Sequence, residues 1–172
     1  MLSKVYSVSL RARGASDRWL LVEALLWLAL ARIATLTIPF RWIMRLLTLR
    51  PGDGAAQNPA VPGADSVAFA MRARRALVVA ARRIPWESNC LTKTLAGACM
   101  LRARRIASLI AVGVNHSVNS RRRHRKAHAW LSSGGVVVTG APRHKSYNAI
   151  ATFAYIPDSS GNAPLFGFFS KH

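Results

Sequence analysis

The 172-residue chain is long enough to bury a hydrophobic core, most simply as one domain, and its 51% apolar content argues against general disorder. Its 25 Lys and Arg residues against 6 Asp and Glu residues indicate either a basic solvated surface or an acidic partner, such as nucleic acid, anionic lipid or an acidic peptide. The only dense basic run is residues 121–126, and no zinc-finger, RNP-like or basic-zipper pattern occurs, so a nucleic-acid-binding protein is disfavoured.

The first predicted helix runs from Asp17 to Thr37 and is apolar around most of its circumference. Glu23 and Arg32 interrupt the apolar run and would be costly in a bilayer, so a buried helix of a soluble domain is favoured. Glu23 is expected to pair with a basic side chain. The alternative, a helix that lies on or spans a membrane through residues 19–38, stays open.

Pro39 ends this helix, and a short amphipathic helix is predicted from Phe40 to about Leu49. Residues 51–64 contain three Pro and three Gly and are predicted to be a linker. The predicted organisation is therefore an N-terminal helical region (1–50), a linker (51–64), a core domain (65–157) and a tail (158–172).

The core domain is predicted to begin with two helices and to continue as a sheet. The third helix covers about 66–83, and the fourth covers about 89–104 with Ser88 as its N-cap. Strands are expected at 106–114, 127–131, 136–139 and 147–156, with Gly134-Gly135 in the hairpin turn between the second and third of them. Helices followed by an antiparallel sheet define an α+β fold.

Two cysteines, Cys90 and Cys99, lie nine positions apart on the fourth predicted helix. That spacing separates them by about 13 Å along the axis, which is too far for a disulfide. A reducing, cytoplasmic setting is therefore expected, and the basic residues before the first apolar run are not typical of a secretory signal. Cys99, between Ala98 and Met100, is interpreted as a core residue.

Cys90 and His128 are the candidate catalytic residues. With Ser88 as the cap, Cys90 is the second residue of its helix, where free backbone N–H groups and the helix dipole favour a thiolate. His128 alternates with Trp130 on a strand that can pack behind that helix, and an imidazole beside a thiol forms an activated pair. The alternative is that both are ordinary packed residues, since a lone Cys in a helix is usually a small buried hydrophobe.

Several segments in this order resemble the protease half of the lasso-peptide biosynthesis B proteins, the McjB C-terminal type within the transglutaminase-like superfamily. The similar segments extend from about residue 17 to about residue 153 and include Pro39-Phe40-Arg41, Ile84-Pro85-Trp86, Cys90-Leu91, Ile110 to Val114, Ala127-His128-Ala129-Trp130 and Val137 to Gly140. The resemblance implies a papain-like cysteine-protease core, in which a helix carrying Cys packs on an antiparallel sheet.

The implied activity is that of a leader peptidase, which cuts the leader from a ribosomally made precursor of a peptide antibiotic. Cys90 would attack the scissile carbonyl, and His128 would accept the thiol proton. The family has an Asp on or after the return strand of the hairpin, but here the next Asp is Asp158, in the tail. Thr139, Asn148, Asp158 or a backbone carbonyl are the candidates for orienting His128, since an Asn can do so in cysteine proteases.

The resemblance also implies partners: the precursor peptide, a separate leader-binding protein and an asparagine-synthetase-like cyclase. No cofactor and no metal are expected, and an ATP dependence of the assembled system stays open. Two hypotheses from other classes remain, a non-catalytic scaffold or membrane-associated precursor-binding protein, and a nucleic-acid binder that only the charge supports.

Overall fold

The computed structural model describes residues 15–47, 50–51, 63–114, 127–141 and 147–157. Within these ranges four helices precede most of an antiparallel sheet, which confirms the predicted α+β class. The helices are α1 (Ala15–Thr37), α2 (Phe40–Leu46), α3 (Ala64–Ala81) and α4 (Cys90–Arg102). The strands are β1 (Arg50–Pro51), β2 (Ser108–Val114), β3 (Ala127–Ser133), β4 (Val136–Thr139) and β5 (Asn148–Tyr155).

Most predicted elements are present, with shifted ends. The second helix ends at Leu46 rather than near Leu49, and Arg50–Pro51 pair with β5 as a short strand that was not predicted. The basic run 121–126, most of the predicted linker and the predicted tail after Pro157 lie outside the described residues.

The strand order of the sheet is β1-β5-β2-β3-β4, and every pairing is antiparallel. β2 lies in the middle, and its Gly113 is opposite His128 of β3. The hairpin between β3 and β4 turns at Gly134 and Gly135, whose φ angles of 56° and 76° suit the two-residue turn that glycine pairs favour. This hairpin places the residues after β4 next to the start of β3.

The core lies between the helices and one face of the sheet. α4 packs against β2, β3 and β4, while α1 and α3 contact α4 and each other. α3 contributes mainly small side chains to this core, which allow close approach of its neighbours: Ala70, Ala73, Ala76, Leu77 and Ala80. Residues of α1 therefore share one hydrophobic core with α4 and β3.

One face of α1 is apolar and exposed, which corrects the prediction of a buried helix. The buried face consists of Leu20, Ala24, Leu28 and Ala31. The opposite side consists of Trp19, Val22, Leu26, Leu30, Ile33 and Leu36, and the exposed fraction is 74% for Trp19 and 69% for Leu36. Hydropathy misled the prediction because the helix is apolar on both sides while the described part of the chain covers only one.

The predicted ion pair of Glu23 is present. Arg104 donates to both oxygens of Glu23, with distances of 2.7 and 2.8 Å, and so joins the segment that follows α4 to α1. Among the described residues, α1 is the single helix long and apolar enough to cross a membrane by length and composition.

Candidate active site

Cys90 is the first residue of α4, and Asn89 caps this helix. The Asn89 side-chain oxygen accepts from both the backbone N–H and the hydroxyl of Thr92, at 2.8 Å each. The prediction that Ser88 is the cap and Cys90 the second helical residue is therefore wrong by one position. Both Ser and Asn are good caps, and the additional hydroxyl donor at Thr92 stabilises Asn89 in this role.

The shift leaves the electrostatic setting of Cys90 as expected. A residue at the first helical position has a backbone N–H without an intrahelical acceptor, and it lies at the positive end of the helix dipole. Cys90 is half-buried and not in a disulfide. Its thiol can therefore be reached by a ligand, and it lies at the helix end where backbone N–H groups are free.

His128 is held by one hydrogen bond and two aromatic neighbours. Its Nε2 lies 3.1 Å from the carbonyl oxygen of Gly140. A carbonyl only accepts, so this bond assigns the proton of the neutral ring to Nε2 and leaves Nδ1 as the acceptor. The His128 ring is 5.0 Å from that of Tyr147 and stacks at 6.2 Å on that of Trp130, as expected if His128 and Trp130 share a face.

Cys90 and His128 line the same cavity, whose volume is about 720 Å³. Its walls come from α3, from the first turn of α4, from the start of β3 and from the segment after β4. Residues 38 positions apart in sequence are thus brought to one concave site, with the thiol from a helix end and the imidazole from a strand.

The candidates for the third member are placed differently. Thr139 lines the cavity, but its hydroxyl is bonded to that of Thr94 at 2.9 Å in a buried pair. Asn148 lies on β5 opposite Val114, on the far side of β2 from His128, and is exposed. Asp158 lies outside the described residues. The fourth candidate, a backbone carbonyl, is present as Gly140 O.

Gly140 must be a glycine for this contact. Its φ is 76°, and a Cβ built there would lie 2.7 Å from Cβ of Trp130, 2.9 Å from the Ala129 oxygen and 3.0 Å from Nε2 of His128. Any side chain would therefore displace the imidazole or the strand beneath it. A glycine directly after a hairpin strand was the sequence signal for this role.

Cys99 behaves as the sequence indicated. It packs against the hydrophobic core, and burial raises the pKa of the Cys99 thiol to about 12, against a smaller lowering effect of the nearby Arg102 guanidinium. A neutral thiol in an apolar environment is a structural residue.

Four cavity residues with polar side chains were not singled out from the sequence as functional: Arg74, Arg82, Lys93 and Tyr147. Arg74 lies on α3 and Arg82 is its C-terminal cap, eight positions later, a spacing that brings them to one side of the helix. Within the described ranges no group of three or more His, Cys, Asp and Glu residues is placed to hold a metal ion.

A helix that begins with a cysteine and packs on an antiparallel sheet beside a histidine defines the transglutaminase-like, papain-like class of α+β proteins. Residues 34–152 match the family model described as the transglutaminase-like superfamily, and the chain belongs to that superfamily. The superfamily includes cysteine peptidases, and cysteine-type catalysis is common in it. No curated protein and no solved structure gives a match.

Proposed function

We propose that this protein is a cysteine peptidase that removes the leader from the precursor of a lasso peptide. The observation that carries the proposal is the shared cavity: the thiol of Cys90, at a helix N-terminus, faces the same space as the anchored imidazole of His128. Membership of the superfamily supports the thiol chemistry. The resemblance described above supports the choice of substrate.

In the proposed reaction, Nδ1 of His128 takes the proton of the Cys90 thiol, and the thiolate attacks the scissile carbonyl carbon. The tetrahedral intermediate collapses to a thioester as the C–N bond breaks, and the imidazolium protonates the leaving amine. Water, deprotonated by the same imidazole, then hydrolyses the thioester and restores the thiol. The backbone N–H of Cys90 is the proposed donor to the oxyanion.

The Gly140 carbonyl has a limited role in this scheme. It orients the ring and selects the tautomer, as a carboxylate would, but it carries only a partial charge. It therefore stabilises the imidazolium less than a carboxylate, and we expect the positioning of His128 to matter more than charge stabilisation. Thr139, Asn148 and Asp158 are not needed for this arrangement.

The proposed partners are the precursor peptide, a separate leader-binding protein and an asparagine-synthetase-like cyclase that joins the freed amine to a side-chain carboxylate. The peptidase itself needs no cofactor in this scheme, since the thiol and the imidazole supply the nucleophile and the base. ATP would be used by the cyclase.

The test is release of the leader from a precursor by the purified protein with its leader-binding partner, followed by mass spectrometry. Replacing Cys90 with Ala should abolish release, whereas the matched variant Cys99→Ser should retain it at the temperature where it remains folded. Leader release by Cys90→Ala at the wild-type rate would exclude the thiol mechanism. Retained binding of the precursor by that variant would separate lost chemistry from lost folding.

The exposed face of α1 supports a second proposal, on where the protein works. We propose that this face lies on an anionic membrane surface. A helix that is apolar all round is normally covered on every side. Here the described residues leave a stripe about 25 Å long, from Trp19 to Leu36, exposed on one face of α1. Arg18 adjoins one end of the stripe, and Arg41 and Arg45 follow its other end on α2.

Tryptophans and arginines flanking an apolar stripe fit a bilayer interface, and the net charge of +19 favours anionic lipid. Because α1 packs on α3 and α4, it would lie in the interface and not cross it. The double variant Leu26→Ser/Ile33→Ser should lose sedimentation with phosphatidylglycerol vesicles, and Ile150→Ser, exposed on β5, should not. Unchanged sedimentation of the double variant would refute the proposal. A double variant that still binds vesicles but no longer captures the leader-binding protein would also refute it.

A further inference from the structure

The cavity that holds Cys90 and His128 is basic on its described walls. Arg74 of α3, Arg82 at the C-terminal cap of α3 and Lys93 of α4 all line it. Four of the acidic residues, Asp17, Glu23, Asp65 and Glu87, belong to the described part of the chain, and none of them lines this cavity. The described lining therefore combines positive charge with apolar surface and has no carboxylate to balance it.

These cations take no part in the ion pairs of the described residues. The ion pairs of the described residues join Arg72 to Asp17 and Arg104 to Glu23. Neither arginine of the cavity wall has a carboxylate partner within the described ranges, and both are exposed. Two uncompensated guanidinium groups beside a concave site attract a ligand that brings its own negative charge.

The position of the three cations relates them to the candidate nucleophile. Lys93 is three residues after Cys90, so the two side chains lie on the same side of α4, about one turn apart. Arg74 and Arg82 flank Leu77 and Val78, which also line the cavity. A peptide that extends along this wall would meet apolar surface between two positive groups.

We infer that the substrate segment at the scissile bond is acidic: an Asp or Glu side chain of the peptide binds Arg74 or Arg82 while an apolar neighbour packs on Leu77 and Val78. This inference rests on the proposed peptidase function and specifies its substrate class. Guanidinium groups suit the role because they form two parallel hydrogen bonds with a carboxylate. Lys93 adds a further positive point charge to the same wall, one helical turn from Cys90.

The first arm of the test measures binding without chemistry. Three labelled peptides of equal length and matched apolar residues, containing Glu, Gln or Lys at the variable positions, are titrated with the Cys90→Ala protein by fluorescence anisotropy. The Glu peptide should bind most tightly, and its advantage should shrink with added salt because exposed charges are screened over about 8 Å at physiological ionic strength.

Charge reversal then assigns the effect to the cavity. Arg74→Glu and Arg82→Glu should each weaken binding of the Glu peptide roughly tenfold and improve binding of the Lys peptide. Arg75→Glu is the matched control, since Arg75 is exposed on the same helix but does not line the cavity. Equal losses in all three variants would show that only the overall positive charge attracts the peptide and would overturn the inference.

The second arm separates this inference from the proposed function. A mixture of short synthetic peptides is incubated with the wild-type protein, and the cleaved bonds are identified by mass spectrometry. Cys90-dependent cuts enriched near Asp or Glu support both proposals. Cys90-dependent cuts without that enrichment overturn the acidic specificity alone. Acidic binding that depends on Arg74 and Arg82, with no cleavage by wild type, would refute the peptidase and leave an acidic-peptide-binding site.

Discussion

Nε2 of His128 lies 3.1 Å from the carbonyl oxygen of Gly140, a backbone group at the position for which the sequence also offered Thr139, Asn148 and Asp158. The main chain can fill that position because Gly140 has a φ of 76° and no Cβ, so the strand end comes close to the imidazole. A backbone acceptor is placed by the hairpin fold, and the glycine that follows β4 is its signal in the sequence. It also explains how a histidine can be oriented without a carboxylate among its described partners.

Replacing Gly140 with Ala should lower the rate of peptide cleavage by more than the loss of folded protein explains. The new Cβ would meet Nε2 of His128 at 3.0 Å and Cβ of Trp130 at 2.7 Å, so the ring has to move. Gly135→Ala is the control, because Gly135 has the same φ of 76° but nothing within 4 Å of a Cβ. Both variants should lose about 1 kcal/mol of unfolding free energy from the left-handed backbone. Gly140→Ala should lose more than Gly135→Ala, because its Cβ also meets Cβ of Trp130 and the Ala129 oxygen.

Rates and urea unfolding curves of the two glycine variants distinguish the contact from the backbone strain. Cleavage at the wild-type rate by Gly140→Ala would show that the Gly140 carbonyl does not position His128.

Replacing Asn89 with Ala should destabilise the protein by about 1 kcal/mol, because the amide N–H and the hydroxyl of Thr92 both lose their acceptor. The same change at Ser88 should alter the unfolding free energy little, since Ser88 is not the cap. Urea denaturation of both variants provides the comparison, and a larger loss at Ser88 would restore the original assignment of the cap.

Alkylation at neutral pH should modify Cys90 and spare Cys99. With its pKa raised to about 12 by burial, Cys99 is a thiolate in only about one molecule in 10⁵ at pH 7. Because the shift is upward, raising the pH to 9 still leaves Cys99 almost wholly protonated. Peptide mapping after treatment with iodoacetamide measures the two sites, and equal modification of both in the folded protein would contradict this assignment.

Replacing Thr139 with Val should cost about 1–3 kcal/mol, because the buried Thr94 hydroxyl loses its partner at 2.9 Å. The double variant Thr94→Val/Thr139→Val should recover part of that loss, since neither hydroxyl is then left unpaired. Thermal unfolding measures both effects. Cleavage by the folded double variant should stay close to wild type, and a loss of a hundredfold or more would instead identify Thr139 as the residue that orients His128.

Much of the local structure followed from the sequence. Apolar periodicity located all four helices, and the Gly134-Gly135 pair located the hairpin between β3 and β4. Helix ends were less well predicted: Ser88 and Asn89 are equally good caps by residue type, and the choice depended on the Thr92 hydroxyl. The strand at Arg50–Pro51 was missed because it exists only through its pairing with β5.

The sequence by itself determined the α+β class, the candidate pair Cys90 and His128, and the core role of Cys99, because those depend on periodicity, residue chemistry and chain order. Tertiary structure alone decided which group contacts His128, which basic residues share a cavity with Cys90, and which face of α1 the described residues leave exposed. Those features depend on how segments distant in sequence pack together. Packing determines which side chain a carbonyl contacts, which cavity an arginine lines and whether an apolar face is buried or exposed.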